Sequence, residues 1–156
     1  MAILLQEAGL LYKTIIYATD INSAVLEKAR QGVFPKRKVK LYSDNYISGG
    51  GQGDFSSYYS INNEGIKFNH SLCRKIIFST HNLVSDNAFN EFHLIVCRNV
   101  LIYFDKDLRE KVFSLFDASM EKMSYLALGS KETLKCSNIC RKYRQISHEN
   151  IWRRLK

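Results

Sequence analysis

The sequence predicts an α/β fold built on a mostly parallel sheet, and three observations predict it. The run Leu94-Ile95-Val96-Cys97 is apolar without strict alternation, the pattern of a strand buried on both faces under covering helices. Ile15-Ile16-Tyr17-Ala18-Thr19 reads as a second buried strand that ends in Asp20 and leads straight into a capped helix, which makes a βα unit. Asp105 to Met120 carries Leu108, Val112, Leu115, Phe116 and Met120 at helical spacing, so a strand-then-helix order recurs after the central run.

Taken in order, residues 3 to 11 show a helical stripe of Ile3, Leu4, Leu5, Ala8 and Leu11. Only Met1 and Ala2 precede it, so no N-cap or lead-in turn is visible, and the expectation is a chain that has lost its start. After Asp20, Asn22 or Ser23 can cap the helix Ala24 to Gln31, and Gly32 supplies its stop. Pro35 can begin a further helix with Val39, Tyr42 and Tyr46 on one face. The Gly49-Gly50-Gly51-Gln52-Gly53 segment is not a phosphate loop, because no strand leads in and no Gly-Lys-Ser/Thr follows; a mobile loop is expected. Tyr58 to Ile61 and Ile66 to Phe68 form a hairpin around a polar turn, an appendage to the parallel sheet and a candidate partner-holding element. Lys75 to Ser79 returns to the sheet and runs into Thr80-His81-Asn82-Leu83. Ser124 to Gly129 is another strand, and Tyr143 to Ile146 with Ile151 to Leu155 reads as a closing antiparallel pair turning near His148 to Asn150.

At 156 residues and 46% hydrophobic content, with one proline, the chain fits a single folded domain with a sizeable core. The apolar runs are too short to cross a bilayer, and the apolar start lacks the basic residues of a secretory signal. The net charge of +8 admits nucleic acid, an acidic protein or a membrane surface as partner. The basic residues cluster at Lys36-Arg37-Lys38 with Lys40, and at Arg141-Lys142, Arg144 and Arg153-Arg154, and neither cluster interleaves aromatics as nucleic-acid readers do. Cys97 sits in the central strand as a buried small hydrophobe; Cys136 and Cys140 have no second ligand pair at zinc spacing, so no metal is expected and the thiols are expected free.

Arg98 and Asn99 follow the central strand directly, at the carboxyl end where ligands of parallel sheets sit. Two readings stand open: a ligand site, or an arginine paired with a core carboxylate beside an asparagine that caps a turn. Asp20 carries the same choice between accepting hydrogen bonds from a ribose diol and helping to cap the next helix.

Three pieces therefore stand in order at strand ends: Ala18-Thr19-Asp20-Ile21, Asn82-Leu83 and Cys97-Arg98-Asn99-Val100-Leu101-Ile102-Tyr103-Phe104. Together they resemble the CheR family of protein-glutamate methyltransferases, which act in chemotaxis and use S-adenosyl-L-methionine. Glu27-Lys28-Ala29-Arg30, the Leu128-Gly129 strand end with Glu132 after it, and the basic final hairpin look similar to the same family, so the resemblance covers essentially the whole chain. It implies a doubly wound, mostly parallel Rossmann-like methyltransferase sheet, with a closing antiparallel hairpin and a small β-subdomain inserted at about 48–75, all in one domain over 1–156. By position it implies that Asp20 binds the ribose hydroxyls, that Asn82 and Leu83 frame the adenine, and that Arg98 and Asn99 lie by the methionine end and the incoming substrate. Tyr103 matches a family tyrosine near the methyl group, which makes Arg98 and Tyr103 the expected catalytic residues. In some members the β-subdomain grips a receptor tail; the Gly-rich loop here looks longer than the family's.

The family also has an N-terminal helical domain and a Gly-containing first strand-turn ahead of the helix that MAILLQEAGL resembles. Neither is in this sequence, so the expectation is a fragment, weak or inactive alone, with exposed core surface that favours self-association. The implied reaction is methylation of a glutamate side chain on a chemoreceptor-like signalling protein in the cytoplasm, leaving S-adenosyl-L-homocysteine. A glutamate with an ordinary pKa of about 4.3 is already an anion at neutral pH and needs orientation rather than a general base. The planar fork of Arg98 suits a carboxylate. Two rival expectations remain: a non-catalytic methyltransferase domain used as a binding module, and methylation of nucleic acid prompted by the charge.

Overall fold

The computed structural model describes residues 1–146 and 148–155. The chain divides into two compact units, Met1–His81 and Asn82–Lys156, and each is described by itself.

The first unit opens with helix α1 (Ala2–Glu7), whose N-cap makes no side-chain hydrogen bond, and a 3-10 turn at Leu11–Lys13. Strand β1 (Ile16–Asp20) and helix α2 (Ser23–Gln31) form the expected βα unit. The Asn22 side chain caps α2 by accepting from the Ala24 and Val25 amides at 2.9 and 3.4 Å, and Gly32 closes it in the left-handed region at φ 65°, where a β-carbon would be strained. Three elements follow: β2 (Val33–Phe34), helix α3 (Val39–Ser48) and the hairpin of β3 (Tyr59–Ile61) and β4 (Ile66–Phe68). A short helix, α4 (His70–Cys73), leads into β5 (Ile76–Thr80).

β5 pairs with β1 in parallel, residue for residue from Ile16 with Ile76 to Asp20 with Thr80. Arg30 locks α2 onto that pair. Its guanidinium donates to the Glu27 carboxylate at 2.6 Å and to the Phe78 carbonyl at 3.3 Å. The hairpin is a three-stranded antiparallel sheet in the order β2-β4-β3, because Val33 and Phe34 pair with Lys67 and Ile66. Two residues beside Pro35 give too short a pattern to signal a strand, and only the fold supplies their partner. Ile66 is fully buried beneath edge-to-face contacts of Phe68 with Phe34, Phe55 and Tyr59. The Gly-rich segment is held rather than loose: the Gly53 amide donates to the Tyr46 hydroxyl at 2.8 Å.

The second unit holds β6 (Phe92–Cys97), helix α5 (Lys106–Ala118), β7 (Met120–Leu128), β8 (Tyr143–Gln145) and β9 (Ile151–Arg154). The sheet order is β6-β7-β9-β8, with β6 and β7 parallel and the last two strands antiparallel, which is the expected closing hairpin. A bulge near the start of β7, with Met123 at φ 62°, absorbs the register jump between the Phe92–Met120 and Leu94–Tyr125 pairs. Asp105 caps α5 by accepting from the Leu108 amide at 2.9 Å.

The buried face of α5 includes the expected Val112 and Phe116 and extends to Phe113, while Leu108 and Leu115 are only half-buried. The expected Met120 is buried as well, at the start of β7. These side chains pack with Leu101, Leu126, Leu134 and Trp152, each buried Phe or Val contributing about 1.5–3 kcal/mol relative to exposure.

Strand β6 departs from its expectation. Cys97 is buried and Ile95 half-buried against this core, but Leu94 and Val96, on the opposite face, are 44% and 49% exposed. Among the described residues β7 is the strand paired with β6, and the Leu94 and Val96 face is the less covered one.

Candidate functional site

The turn after β6 is the best-defined part of the candidate site. Asn99 sits in the left-handed region at φ 60°, a conformation asparagine tolerates better than most residues. Val100 returns to the right-handed region, and a 3-10 turn runs from Leu101 to Tyr103. This alternation points three successive amides the same way, the arrangement that makes an anion nest. The nest is filled from within the chain. The Glu132 carboxylate accepts from the amides of Asn99 at 3.1 Å, Val100 at 2.9 Å and Leu101 at 2.8 Å. It also accepts from the Gly129 amide, at the end of β7, at 2.6 Å. Glu132 is 5% exposed, so its charge is compensated by these four donors instead of water.

Arg98 and Asn99 themselves are exposed. Among the described residues the Arg98 guanidinium has neither a hydrogen-bond nor an ion-pair partner, so the reading in which it pairs with a core carboxylate does not hold. The core carboxylate exists, but it is Glu132, and it holds the backbone beyond Arg98 instead. Tyr103, at the end of the 3-10 turn, is 80% exposed. At Cys97, just before Arg98, burial, with a smaller contribution from the Glu132 charge, pushes the thiol up to about 12.

Asn82 and Leu83 open the second unit. The Asn82 carbonyl oxygen of the side chain accepts from the Val84 amide at 2.9 Å, and its backbone amide donates to the Asp86 carboxylate at 2.9 Å. Its side-chain NH2 has no acceptor among the described residues. Leu83 is half-buried against the second unit's core.

Asp20 belongs to the first unit, at the carboxyl end of β1 and level with Thr80 at the end of β5. One of its oxygens accepts from the Asn22 amide at 2.8 Å, so the helix-entry role is real. The other oxygen has no donor among the described residues and both stand at an exposed residue. The structure thus groups Arg98, Asn99, Tyr103 and Glu132 on one turn, and places Asp20 at a strand end of the other unit. A separate open cleft of about 550 Å³ in the first unit is lined by Leu4, Glu7, Gln52 and Tyr58 and includes none of these residues. There the Tyr58 hydroxyl donates to Glu7 at 2.8 Å and the Tyr46 hydroxyl donates to the same carboxylate, which holds Glu7 below the ordinary carboxylate range and raises Tyr58.

Parallel strand pairs in each unit, β1 with β5 and β6 with β7, make this an α/β protein. Comparison with known sequences gives the family: the chain belongs to the CheR methyltransferase, SAM binding domain family, whose model matches residues 1–150. It is 44% identical over 137 residues to the Pseudomonas putida protein named "Putative methyltransferase Cher3", covering 88% of this chain and 50% of that one. It is 33% identical over 130 residues to chemotaxis protein methyltransferase 1 of Vibrio cholerae, covering 81% and 44%, and 30% identical over 131 residues to the chemotaxis protein methyltransferase of Borreliella burgdorferi, covering 80% and 42%. The chain spans about half the length of the curated relatives it matches.

Sequence reasoning noted Glu132 only as part of the family likeness and missed its work on the turn. The available signal was a lone acid three residues beyond a strand-ending glycine.

Proposed function

We propose that this chain is the cofactor-binding part of an S-adenosylmethionine-dependent methyltransferase that esterifies glutamate side chains of chemoreceptor-like signalling proteins. The observation that carries the reading is the exposed, unpartnered Arg98 guanidinium at the carboxyl end of β6. The residues present fit the cofactor by donor chemistry. Asp20 keeps one carboxylate oxygen uncommitted for a ribose hydroxyl, the Asn82 NH2 is an open donor for an adenine ring nitrogen, and Arg98 can pair with a carboxylate at two oxygens. When bound, the cofactor supplies an electrophilic methyl group on a sulfonium.

The protein's own work is orientation. A glutamate substrate arrives as an anion and needs no base, so no side chain has to take a proton from it. Arg98 binds and aligns it, or the carboxylate end of the cofactor, and Asn99 and Tyr103 border the same place. Too strong a grip by Arg98 would stabilise the ground state as well, which a single exposed guanidinium avoids. A cytoplasmic location belongs to the same reading; no helix among the described residues is long and apolar enough to cross a membrane. So does self-association, supported by the apolar surface that Leu94 and Val96 present to solvent.

The test is calorimetry with S-adenosylhomocysteine on the chain and on Asp20→Ala. Loss of a charge-assisted hydrogen bond of about 1.5–3 kcal/mol predicts at least tenfold weaker binding by the variant. Equal affinity for both proteins would remove Asp20 from the site, and no binding by either would remove the cofactor reading from this chain.

A further inference from the structure

We propose that Glu132 is a positioning residue: it fixes the backbone of the Arg98–Asn99 turn and thereby aims both side chains at the ligand. The proposal rests on the cofactor reading above for what that ligand is, but its structural half stands on contacts within the second unit.

Four backbone amides converge on this one carboxylate. Oε1 accepts from Val100 and Leu101, and Oε2 accepts from Asn99 and Gly129. Three of the donors are consecutive residues directly after Arg98, and the fourth ends the neighbouring strand β7, so the carboxylate ties two strand ends together. Among the described residues the Asn99, Val100 and Leu101 amides have no turn or loop bond to a backbone carbonyl instead. Without the carboxylate, three or four donors would be left facing a nearly closed site, and the left-handed Asn99 would lose the contact that favours it. The chain is also shaped to admit this acid closely. A β-carbon at Gly129 would fall 2.5 Å from Oε2, 3.1 Å from the Asn99 nitrogen and 3.3 Å from the Asn99 side-chain oxygen. Glycine at that place is therefore favoured chiefly by the close approach of the Glu132 carboxylate, with the Asn99 turn a tight second neighbour.

Glu132 is not itself open to a ligand, because both its oxygens are committed to backbone amides and the residue is 5% exposed. Its effect on binding must travel through the turn. A glutamine in its place keeps the volume but brings two donors of its own against backbone donors, so the turn should be released while the surrounding core stays packed.

The experiment combines amide hydrogen exchange with S-adenosylhomocysteine calorimetry on the chain, Glu132→Gln, Glu132→Asp, Arg98→Ala and the double variant Arg98→Ala with Glu132→Gln. In the unaltered chain the Asn99, Val100, Leu101 and Gly129 amides are expected to exchange slowly, although three of them lie outside regular elements. In Glu132→Gln these four should exchange at least tenfold faster while Tyr125 to Ala127 in β7 stay slow, and Glu132→Asp should fall between. Binding should weaken at least tenfold in Glu132→Gln, and adding Arg98→Ala should cost less than it does alone, since the arginine is already misaimed. Strictly additive losses would show that Glu132 only supports the fold, and fast exchange of the four amides in the unaltered chain would overturn the proposal outright. A chain that binds no S-adenosylhomocysteine counts against the cofactor reading alone; the exchange pattern then decides whether Glu132 holds the turn.

Discussion

Asp117, the penultimate residue of α5, offers a quantitative check on how the closing hairpin is held. Its carboxylate is buried and gathers three groups. The Tyr143 hydroxyl donates to Oδ1 at 3.0 Å, Lys142 Nζ reaches Oδ2 at 2.5 Å, and Arg154 Nε lies 3.4 Å from Oδ1 as an ion pair without hydrogen-bond geometry. Lys142 is 55% exposed, so its pair contributes at most about 1 kcal/mol. The buried hydroxyl-to-carboxylate bond is worth about 1.5–3 kcal/mol. Asp117→Asn keeps the volume and one neutral acceptor, and should lower stability by about 1–2 kcal/mol. Asp117→Ala also leaves the Tyr143 hydroxyl with only the weak Met120 sulfur and removes the Arg154 ion pair, though Arg154 keeps its bond to the Met120 carbonyl, and should cost about 2–3 kcal/mol.

Trp152 is the one tryptophan of the chain and is buried in β9, so urea unfolding followed by its fluorescence reads this unit directly. The pH dependence adds a second criterion. Burial pushes the Asp117 carboxyl up, but the hydrogen bonds from Lys142 and Tyr143 and the charges of Arg154 and Lys142 outweigh it, leaving the folded pKa below the ordinary 3.8. A lowered folded pKa stabilises above the unfolded value, and that stabilisation is lost as the pH falls through the folded one. The gap between the unaltered protein and Asp117→Asn should therefore be full at neutral pH and shrink below about pH 4. An Asn variant within about 0.5 kcal/mol of the unaltered protein at pH 7, or a gap that grows on acidification, would refute the assignment.

Two further outcomes are expected. Asn22→Ala removes the cap of α2 and should cost about 1 kcal/mol locally, seen as roughly fivefold faster exchange of the Ala24 and Val25 amides; unchanged rates would mean the backbone turn alone starts the helix. Cys97, buried and with its thiol raised to about 12, should resist iodoacetamide at neutral pH in the folded protein while the exposed Cys136 reacts, as read by peptide mass mapping. Comparable labelling of both would show that the end of β6 opens readily.

The strand ends that carry the candidate residues were legible in the sequence because periodic patterns stop there. The apolar run of β6 breaks at Arg98, and β1 breaks at Asp20, so each polar residue marks a strand end by contrast with what precedes it. The helix signals around α2 were legible for a similar reason: Asn22 and Gly32 act on their immediate neighbours, and local chemistry leaves local traces. β2 left none, because two residues beside a proline become a strand only through Lys67 and Ile66, more than thirty positions away. The covering of β6 was misjudged for the opposite reason. Its composition is apolar on both faces, but composition does not say how much of each face is covered, and Leu94 and Val96 stay 44% and 49% exposed.

Glu132 shows why a turn can be read while the group that shapes it cannot. A side chain that pairs with another side chain leaves two polar residues in the sequence, and chemistry can match them. A carboxylate that pairs with backbone amides leaves only itself, since every residue except proline carries that donor. Between Lys131 and Thr133 it looks like one more surface charge. What separates it from a surface charge is burial, and burial follows from the parallel pairing of β6 with β7, which sets Gly129 beside Asn99 and leaves a space between two strand ends that only an acceptor can fill. The backbone directly after Arg98 is thus held by a residue thirty-four positions away from it.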